Sequence, residues 1–429
     1  MIKELNYNKV EGTVTVPPSK SYAHRALIAL SLSKGKGTIH HVDLSSDIMA
    51  TLKCLEDLGV DFFIDNEDVM LDATSFGNRR DRVLKPEESG STLRFFIPIT
   101  LLFDEVYTFR GSTSLLKRPL VVYEELFQDL DIMMFRDSLE SIVIKGKLEP
   151  GDFSMRGDVS SQFISGMLMV LPLLPGDSTL TVTEEFQSES YVNMTVKVMR
   201  DFGIEIHREN DTFFIPGNQQ YQVRDYMVEG DYSQAAYFMA AGAIAGHTRV
   251  VGLNHASTQG DQEIVTILEK MGVQISAVEN GYEVSESEIR SLDIDVSDIP
   301  DLTPVLGVLL SLAKGTGRLM KVDRLRYKES DRVKTTIDLI NHLGGDAKEE
   351  GSDIIITGKE NLSGGSVYGH NDHRIVMAAA IASLGCLNPV VIDGYEAVKK
   401  SYPNFFKDFE DIVRLSVLSY EDKKGNKIS

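Results

Sequence analysis

The stretch V-P-P-S-K-S-Y-A-H-R-A-L-I-A-L, Val16 to Leu30, sets Lys20, His24 and Arg25 between a proline pair and an apolar, helix-like run. Pro17-Pro18 fixes the entry of that helix and Ser19 stands where a cap is wanted, so the segment reads as a helix N-terminus. Exposed backbone N–H groups and the positive end of the helix dipole suit such a terminus to phosphate or carboxylate. Taken alone, the segment supports two readings: a capped helix with surface Lys and Arg, or an anion site. Lys20 and Arg25 are five apart and share no single stripe, so convergence requires Lys20 to lie in the preceding loop.

The same form recurs along the chain. S-G-S-T-L-R-F-F-I-P-I begins at Ser89, D-V-S-S-Q-F-I-S-G-M-L at Asp158 and D-Y-S-Q-A-A-Y-F-M-A-A at Asp231. D-L-T-P-V-L-G-V-L-L follows at Asp301 and D-H-R-I-V-M-A-A-A at Asp372. From Ser19 onward the successive spacings are 70, 69, 73, 70 and 71, which defines six repeats of about 70 residues. Most repeats carry a second, amphipathic helical pattern stopped by Gly, such as D-I-M-A-T-L-K-C-L-E-D-L-G-V. Short strand-like runs follow, among them Val60–Ile64 and Ile354–Thr357. Each unit therefore reads as helix-strand-helix-strand-strand, an α/β fold with the small-residue helix of each unit inside. Six units exceed one ordinary core, so three plus three in two domains is expected, with a crossing around Tyr221–Glu229. The alternative is one long α/β domain without repeat symmetry.

Composition bounds the function. The chain has 429 residues, 42% of them hydrophobic, with 44 Lys+Arg against 64 Asp+Glu and a net charge of −20. That balance argues against a nucleic-acid partner while leaving room for a local basic pocket. The start of the chain lacks the apolar core of a signal peptide, and apolar stretches are short or interrupted, which argues against a membrane partner. Cys54 and Cys386 are far apart, outside any CxxC pattern, so neither a disulfide nor a zinc site is expected and a cytoplasmic location is the default. GxxxxGK[ST], G-x-S-x-G and H-E-x-x-H are all absent, so nucleotide P-loop, hydrolase-elbow and zincin chemistry have no starting point.

Other polar clusters add candidates. Ser160, Ser161 and Gln162 at the third opening serve equally as cap or as anion and hydroxyl ligands. In R-L-R-Y-K-E-S-D-R-V, Lys328 and Arg332 are four apart with Glu329 beside them, a spacing that puts both on one helical face. That run reads either as a solvated face or as part of a site. Arg118 in L-K-R-P-L, His373 and Arg374 in N-D-H-R, and Lys400 in V-K-K-S-Y-P are shorter basic clusters.

Together and in this order, P-P-S-K-S-Y-A-H-R, S-G-S-T-L-R, K-R-P, G-D-V-S-S-Q-F, K-E-S-D-R, N-D-H-R and K-S-Y-P make the chain resemble the 5-enolpyruvylshikimate-3-phosphate synthase family of enolpyruvyl transferases. The resemblance covers essentially the whole chain. It implies two inside-out α/β barrel domains, residues 15–228 and residues 1–14 plus 229–429, with the active site in the cleft between them. It implies transfer of the enolpyruvyl group of phosphoenolpyruvate to the 5-hydroxyl of shikimate 3-phosphate, with no cofactor and no metal. Shikimate 3-phosphate would be held by Lys20, Ser21, Arg25, Ser160, Ser161, Gln162, Ser188, Tyr191, Asp301 and Lys328. Phosphoenolpyruvate would be held by Lys20, Gly90, Arg118, Gln162, Arg332, Arg374 and Lys400. Asp301 would serve the 5-hydroxyl, and Glu329, with Lys20, His373 or Lys400 as rivals, would supply the methylene proton.

Cations outnumber carboxylates in that set, so the domains are expected to open without ligand and close on it. Three positions depart from the family pattern. Glu88 stands where Asn is common, and it would either weaken the donor anion or turn to solvent. Arg324 replaces a residue that is usually not Arg, and Glu189 follows Ser188 where a basic residue is common. Rival functions are the related transfer to UDP-N-acetylglucosamine, a catalytically silent anion-binding repeat protein, and an RNA 3′-phosphate cyclase, which the negative charge disfavours. A monomer is expected, and the polar tail S-Y-E-D-K-K-G-N-K-I-S is expected to fray.

Overall fold

Six helices rich in small and apolar residues form the centre of the molecule. They are Lys20–Leu32, Gly90–Thr100, Ser161–Val170, Tyr232–Ala245, Thr303–Ser311 and His373–Ala382. In Tyr232–Ala245 every residue but Ile244 is buried, as a helix apolar around its circumference demands. The structure, a computed structural model, describes residues 1–78 and 80–414; the polar C-terminal tail lies outside them. Amphipathic helices pack outside this inner set, and they stop where the sequence places glycine in the left-handed region, as at Gly59 (φ 98°) and Gly344 (φ 85°).

Six sheets cover the helices among the described residues. The third unit shows the common plan. Asp152–Arg156 runs parallel to Ser178–Thr183, which pairs antiparallel with Thr212–Ile215, itself paired with His207–Glu209. A parallel strand ahead of the inner helix is thus added to the order read from sequence. Two of these added strands, Tyr226–Met227 and Ile294–Asp295, have two residues each, too few to show a two-residue alternation. The sixth sheet also departs from the repeat. Its strand Val390–Asp393 takes its antiparallel partner from the start of the chain, Ile2–Leu5.

Two separate cores result. One gathers residues from Tyr22 to Val228; the other gathers Leu5 to Val16 together with Tyr232 to Val413. The strands leading into the first and fourth inner helices are exchanged between them. Lys9–Thr15 pairs in parallel with Gly246–Val251 of the second lobe, whereas Tyr226–Met227 pairs in parallel with Ile39–His40 of the first. The two crossing segments run side by side. Ser19 N–H donates to Glu229 O at 2.8 Å and Asp231 N–H to Pro17 O at 2.9 Å. Gly230 is required there, since a Cβ would stand 2.2 Å from the Gly252 carbonyl oxygen. This arrangement points inner-helix N-termini from both lobes into the cleft between them.

Candidate active site

Small polar caps order most of these N-termini. Ser19, Ser89, Ser160, Asp231 and Asp372 each accept a backbone N–H from the first turn of the helix they precede. The fifth opening differs. Asp301 holds the corresponding place in the repeat but lies in a short 3₁₀ turn, Pro300–Leu302, and caps nothing; Thr303–Ser311 begins without a side-chain cap. Its carboxylate faces the cleft instead.

In the first lobe, Lys20 is the first residue of its helix rather than part of the loop. Convergence with Arg25 follows because an N-terminal side chain leaves the helix end freely. The Lys20 ammonium reaches Asp47 at 2.7 Å, and its backbone N–H reaches Asp231 at 3.2 Å. Arg25 is buried and fixed by Thr195 Oγ1 (2.6 Å), Ser21 O (2.7 Å) and Tyr191 O (3.0 Å). Burial pulls its pKa down to about 10, so it remains charged near neutrality. Arg94 donates to Gln162 Oε1 at 2.7 Å, and Gln162 donates to Ser91 Oγ at 2.9 Å. Gly90 leaves room for this group, since a Cβ there would lie 2.9 Å from Arg118 Nη1 and 3.4 Å from Arg94 Nη1.

In the second lobe, Lys328 and Glu329 precede the helix Arg332–His342, with Lys328 in extended backbone. The shared helical face expected from their spacing is therefore absent, and a folded loop brings these side chains together. Arg332, 1% exposed, donates to Asp301 (2.8 Å), Glu329 (2.6 Å) and Asp372 (2.9 Å). Asp301 also meets Arg374 at 3.2 Å and Lys328 at 3.5 Å. Burial alone would raise the Asp301 carboxyl, but Lys328, Arg374 and Arg332 together hold it well below the usual carboxylate range. Glu329 is held low in the same way, by Arg332, Arg118 and Lys20 against its burial. Burial lowers Lys328 to about 8 despite the pull of Asp301, and it keeps the His373 imidazole neutral.

One cleft collects these groups from both lobes. Lys20, Ser21, Arg25, Gly90 and Arg118 line it, as do Ser160, Ser161, Gln162, Ser188 and Tyr191 from the first lobe. Asp301, Lys328, Glu329 and His373 line it from the second. Arg332, Arg374 and Lys400 do not line it. The first two stand behind Asp301 with their charge already paired, and Lys400 is taken by Glu88 at 2.5 Å. Glu88 thus neither faces the pocket nor turns to open solvent; it reaches across to the other lobe.

Several lining or supporting residues were not anticipated. Arg94 sits four residues after Gly90 on one helical face, a spacing that could have revealed it. Asp372 marks a repeat in the sequence, but nothing there pairs it with Arg332. Asp47 has no local signal, because it meets Lys20 only through the packing of the helix Ser46–Asp57. Arg324 lines the cleft and donates to Ser188 Oγ and Ser297 O, joining the lobes. Glu189 pairs with Arg208 at 2.6 Å, away from the lining. Among the described residues no group of His, Cys, Asp and Glu could hold a metal ion, and no helix is long and apolar enough to cross a membrane.

The fold and the site define a class: a two-lobed, six-repeat α/β protein whose cleft combines inner-helix N-termini with a cluster of paired carboxylates and cations. Comparison with known proteins specifies it. The family model for EPSP synthase (3-phosphoshikimate 1-carboxyvinyltransferase) matches residues 6–409. A relative named 3-phosphoshikimate 1-carboxyvinyltransferase from Clostridium kluyveri is 45% identical over 417 residues, covering 95% of this chain and 96% of its own. One of the same name from Clostridioides difficile is 42% identical, with coverage of 94% and 95%. The solved structure of EPSP synthase from Acinetobacter baumannii has the same fold, with a TM-score of 0.81, 23% identity, and coverage of 96% of this chain and 98% of that one. The chain belongs to the EPSP synthase family.

Proposed function

We propose that the cleft seats shikimate 3-phosphate and phosphoenolpyruvate side by side, and that its residues divide between them as the family motifs imply. The enzyme transfers the enolpyruvyl group of phosphoenolpyruvate to the 5-hydroxyl of shikimate 3-phosphate and releases phosphate, a step of the shikimate pathway to chorismate and the aromatic amino acids. The observation that carries the assignment is Asp301, freed from capping, held ionised by three cations and facing the anion donors of the first lobe in one cleft.

The acceptor lies against Lys20, Ser21, Arg25, Ser160, Ser161, Gln162, Ser188 and Tyr191, with Asp301 and Lys328 at its reacting hydroxyl. Phosphoenolpyruvate lies against Gly90, Arg118, Gln162 and Lys20, and Lys400 reaches it from the rim. Arg332 and Arg374 stand behind Asp301 and supply positive charge at one remove. As the 5-oxygen attacks C2 of phosphoenolpyruvate, its proton passes to Asp301, and a proton is delivered to the methylene carbon. Loss of that carbon's proton and cleavage of the C2–O bond then release phosphate. Lys328 sits 3.5 Å from Asp301 and titrates near 8, which fits it to exchange the hydroxyl proton.

Glu329 serves the methylene carbon, with His373, Lys20 and Lys400 the other groups at hand. The anionic substrates raise its proton affinity, since one negative charge about 5 Å away in an effective dielectric of about 20 is worth roughly 3 kcal/mol. The lobes divide at 15–228 and at 1–14 plus 229–429; the two cores support this except at the first boundary, where Thr15 pairs with Val251 and Val16 packs in the second core. We further take the protein as a cytoplasmic monomer without metal, cofactor or nucleic-acid partner.

Phosphate release from phosphoenolpyruvate tests this reading, with shikimate 3-phosphate and UDP-N-acetylglucosamine compared as acceptors. Turnover is expected only with the first, and its absence there refutes the proposal. Asp301→Ala and Glu329→Gln should each lower kcat by at least about a hundredfold with unchanged circular dichroism; full activity in either removes that residue from its role.

A further inference from the structure

Glu88 departs from the family pattern, and it is fully engaged. It comes from the loop before Gly90 in the first lobe, and its carboxylate accepts from Lys400 Nζ at 2.5 Å and from Asn371 Nδ2 at 3.1 and 3.3 Å, both in the second lobe. Lys400 Nζ donates in addition to the Asn371 carbonyl oxygen at 2.7 Å. Each member of the three therefore touches the other two. The Lys400 side chain is 13% exposed and that of Glu88 35%, so this is no freely solvated surface pair.

The loop opposite Glu88 is built for this contact. His370 and Asn371 both occupy the left-handed region, at φ 52° and 53°. Two consecutive non-glycine residues in that region store strain, which persists only where the surroundings over-determine it. Here the turn aims both the amide and the carbonyl of Asn371 at the clasp. The next residue, Asp372, holds Arg332 behind Asp301. The clasp is thus covalently continuous with the acid-base cluster.

We propose that Glu88 is a positioning residue for the donor anion, acting through Lys400: it locks the lysine side chain between the two lobes so that one N–H of its ammonium is left for phosphoenolpyruvate. Lysine has a long, rotatable stem that loses much freedom when it binds an anion. Two fixed acceptors, Glu88 and Asn371 O, remove that freedom beforehand. A neutral amide at position 88 offers a weaker hold on an ammonium than a carboxylate does. The burial of Glu88 favours its protonated form, but Lys400 and Asn371 outweigh it and the carboxyl stays below its ordinary range, so the clasp is charged at neutral pH.

The inference rests on the assignment of Lys400 to the donor, and a double-mutant cycle separates the two. KM for phosphoenolpyruvate and for shikimate 3-phosphate is measured in the wild type, Glu88→Gln, Glu88→Asn, Lys400→Met and Glu88→Gln/Lys400→Met. Expected are a rise of about tenfold in the donor KM for each Glu88 variant, an acceptor KM within about twofold of wild type, and no further change when Glu88→Gln is added to Lys400→Met. An unchanged or lowered donor KM in Glu88→Gln overturns the proposal, the second marking Glu88 as a competitor of the anion. A Glu88→Gln effect that persists undiminished on the Lys400→Met background overturns it too, because the action would not pass through the lysine. An unchanged donor KM in Lys400→Met removes Lys400 from the donor site and the clasp with it, while turnover with shikimate 3-phosphate leaves the reaction itself standing.

Discussion

Replacing Arg332 with methionine preserves most of the side-chain length and withdraws one charge from among Asp301, Glu329 and Asp372. Arg332 is 1% exposed and Asp372 0%, so water cannot take over its contacts. Breaking a buried ion pair from one side costs about 3–5 kcal/mol. Three carboxylates lose the guanidinium, yet they do not lose equally. Asp301 keeps Lys328 and Arg374, and Glu329 keeps Arg118 at 3.7 Å. Only Asp372 is left without a cationic side chain, so the expected loss at pH 8 is one such increment, ~3–5 kcal/mol, rather than three. The pH dependence has a definite sign. Asp301 and Glu329 have folded-state pKa values below their unfolded values of about 4, so the stability they contribute is present above about pH 4 and is lost as pH falls through the folded values. Without Arg332 the cluster repels itself when ionised and gains protons as pH falls. The gap between wild type and variant should therefore be widest at pH 8 and narrow toward pH 4.5. Urea unfolding followed by circular dichroism at both pH values measures it, with Arg332→Lys as a charge-retaining intermediate. A loss below about 1 kcal/mol at pH 8, or an equal loss at both pH values, would refute the reasoning.

Three further outcomes follow from the geometry. Gly90→Ala places a Cβ 2.9 Å from Arg118 Nη1 and displaces that guanidinium, so the donor KM should rise about tenfold while the acceptor KM holds; a parallel rise in both constants counts against a local effect. Burial, reinforced by Asp301, lifts Asp261 to about 7 against Ser233 and Arg374, so the folded state holds an extra proton between about pH 4 and 7 and stability falls as pH rises through that window. Asp261→Asn should flatten that slope and gain at most ~4 kcal/mol at pH 8, and a gain independent of pH would contradict it. Finally, small-angle scattering should show compaction on adding shikimate 3-phosphate with a phosphoenolpyruvate analogue, since cations gathered in the cleft oppose closure without anions; an unchanged radius of gyration would exclude such closure.

What was legible in the sequence was what is local. The caps and small-residue runs at Ser19, Ser89, Asp231 and Asp372 are decided within a few residues, so the period and the six inner helices could be read directly. Most lining residues were reached because the motifs that carry them sit at those same helix ends. The pairing of charges could not be read. Arg332 meets Asp301 across 31 residues and Asp372 across 40, and neither separation is a helical spacing. Lys328 and Arg332 have that spacing yet share no helix, because the chain stays extended at Lys328. Glu88 illustrates the same limit: its type was noticed, but its partner comes from the other lobe. The exchange of strands could be expected only from the family resemblance, which puts residues 1–14 with the second domain, since neither Lys9–Thr15 nor Tyr226–Met227 carries any mark of which sheet it will join.

Those exchanged strands also bear on the order in which the protein can be made. Everything in the first core lies between Tyr22 and Val228, so that lobe can collapse as soon as its last strand leaves the ribosome. Lys9–Thr15 is synthesised before all of it but has its parallel partner in Gly246–Val251. At about 5–20 residues per second, that partner arrives roughly 10–50 s later. For most of that interval the first lobe is itself still being made, and the leading segment stays unpaired, with an edge able to join other strands. A strand translated before the whole first lobe is thus among the last to reach its place, and the second lobe closes around it.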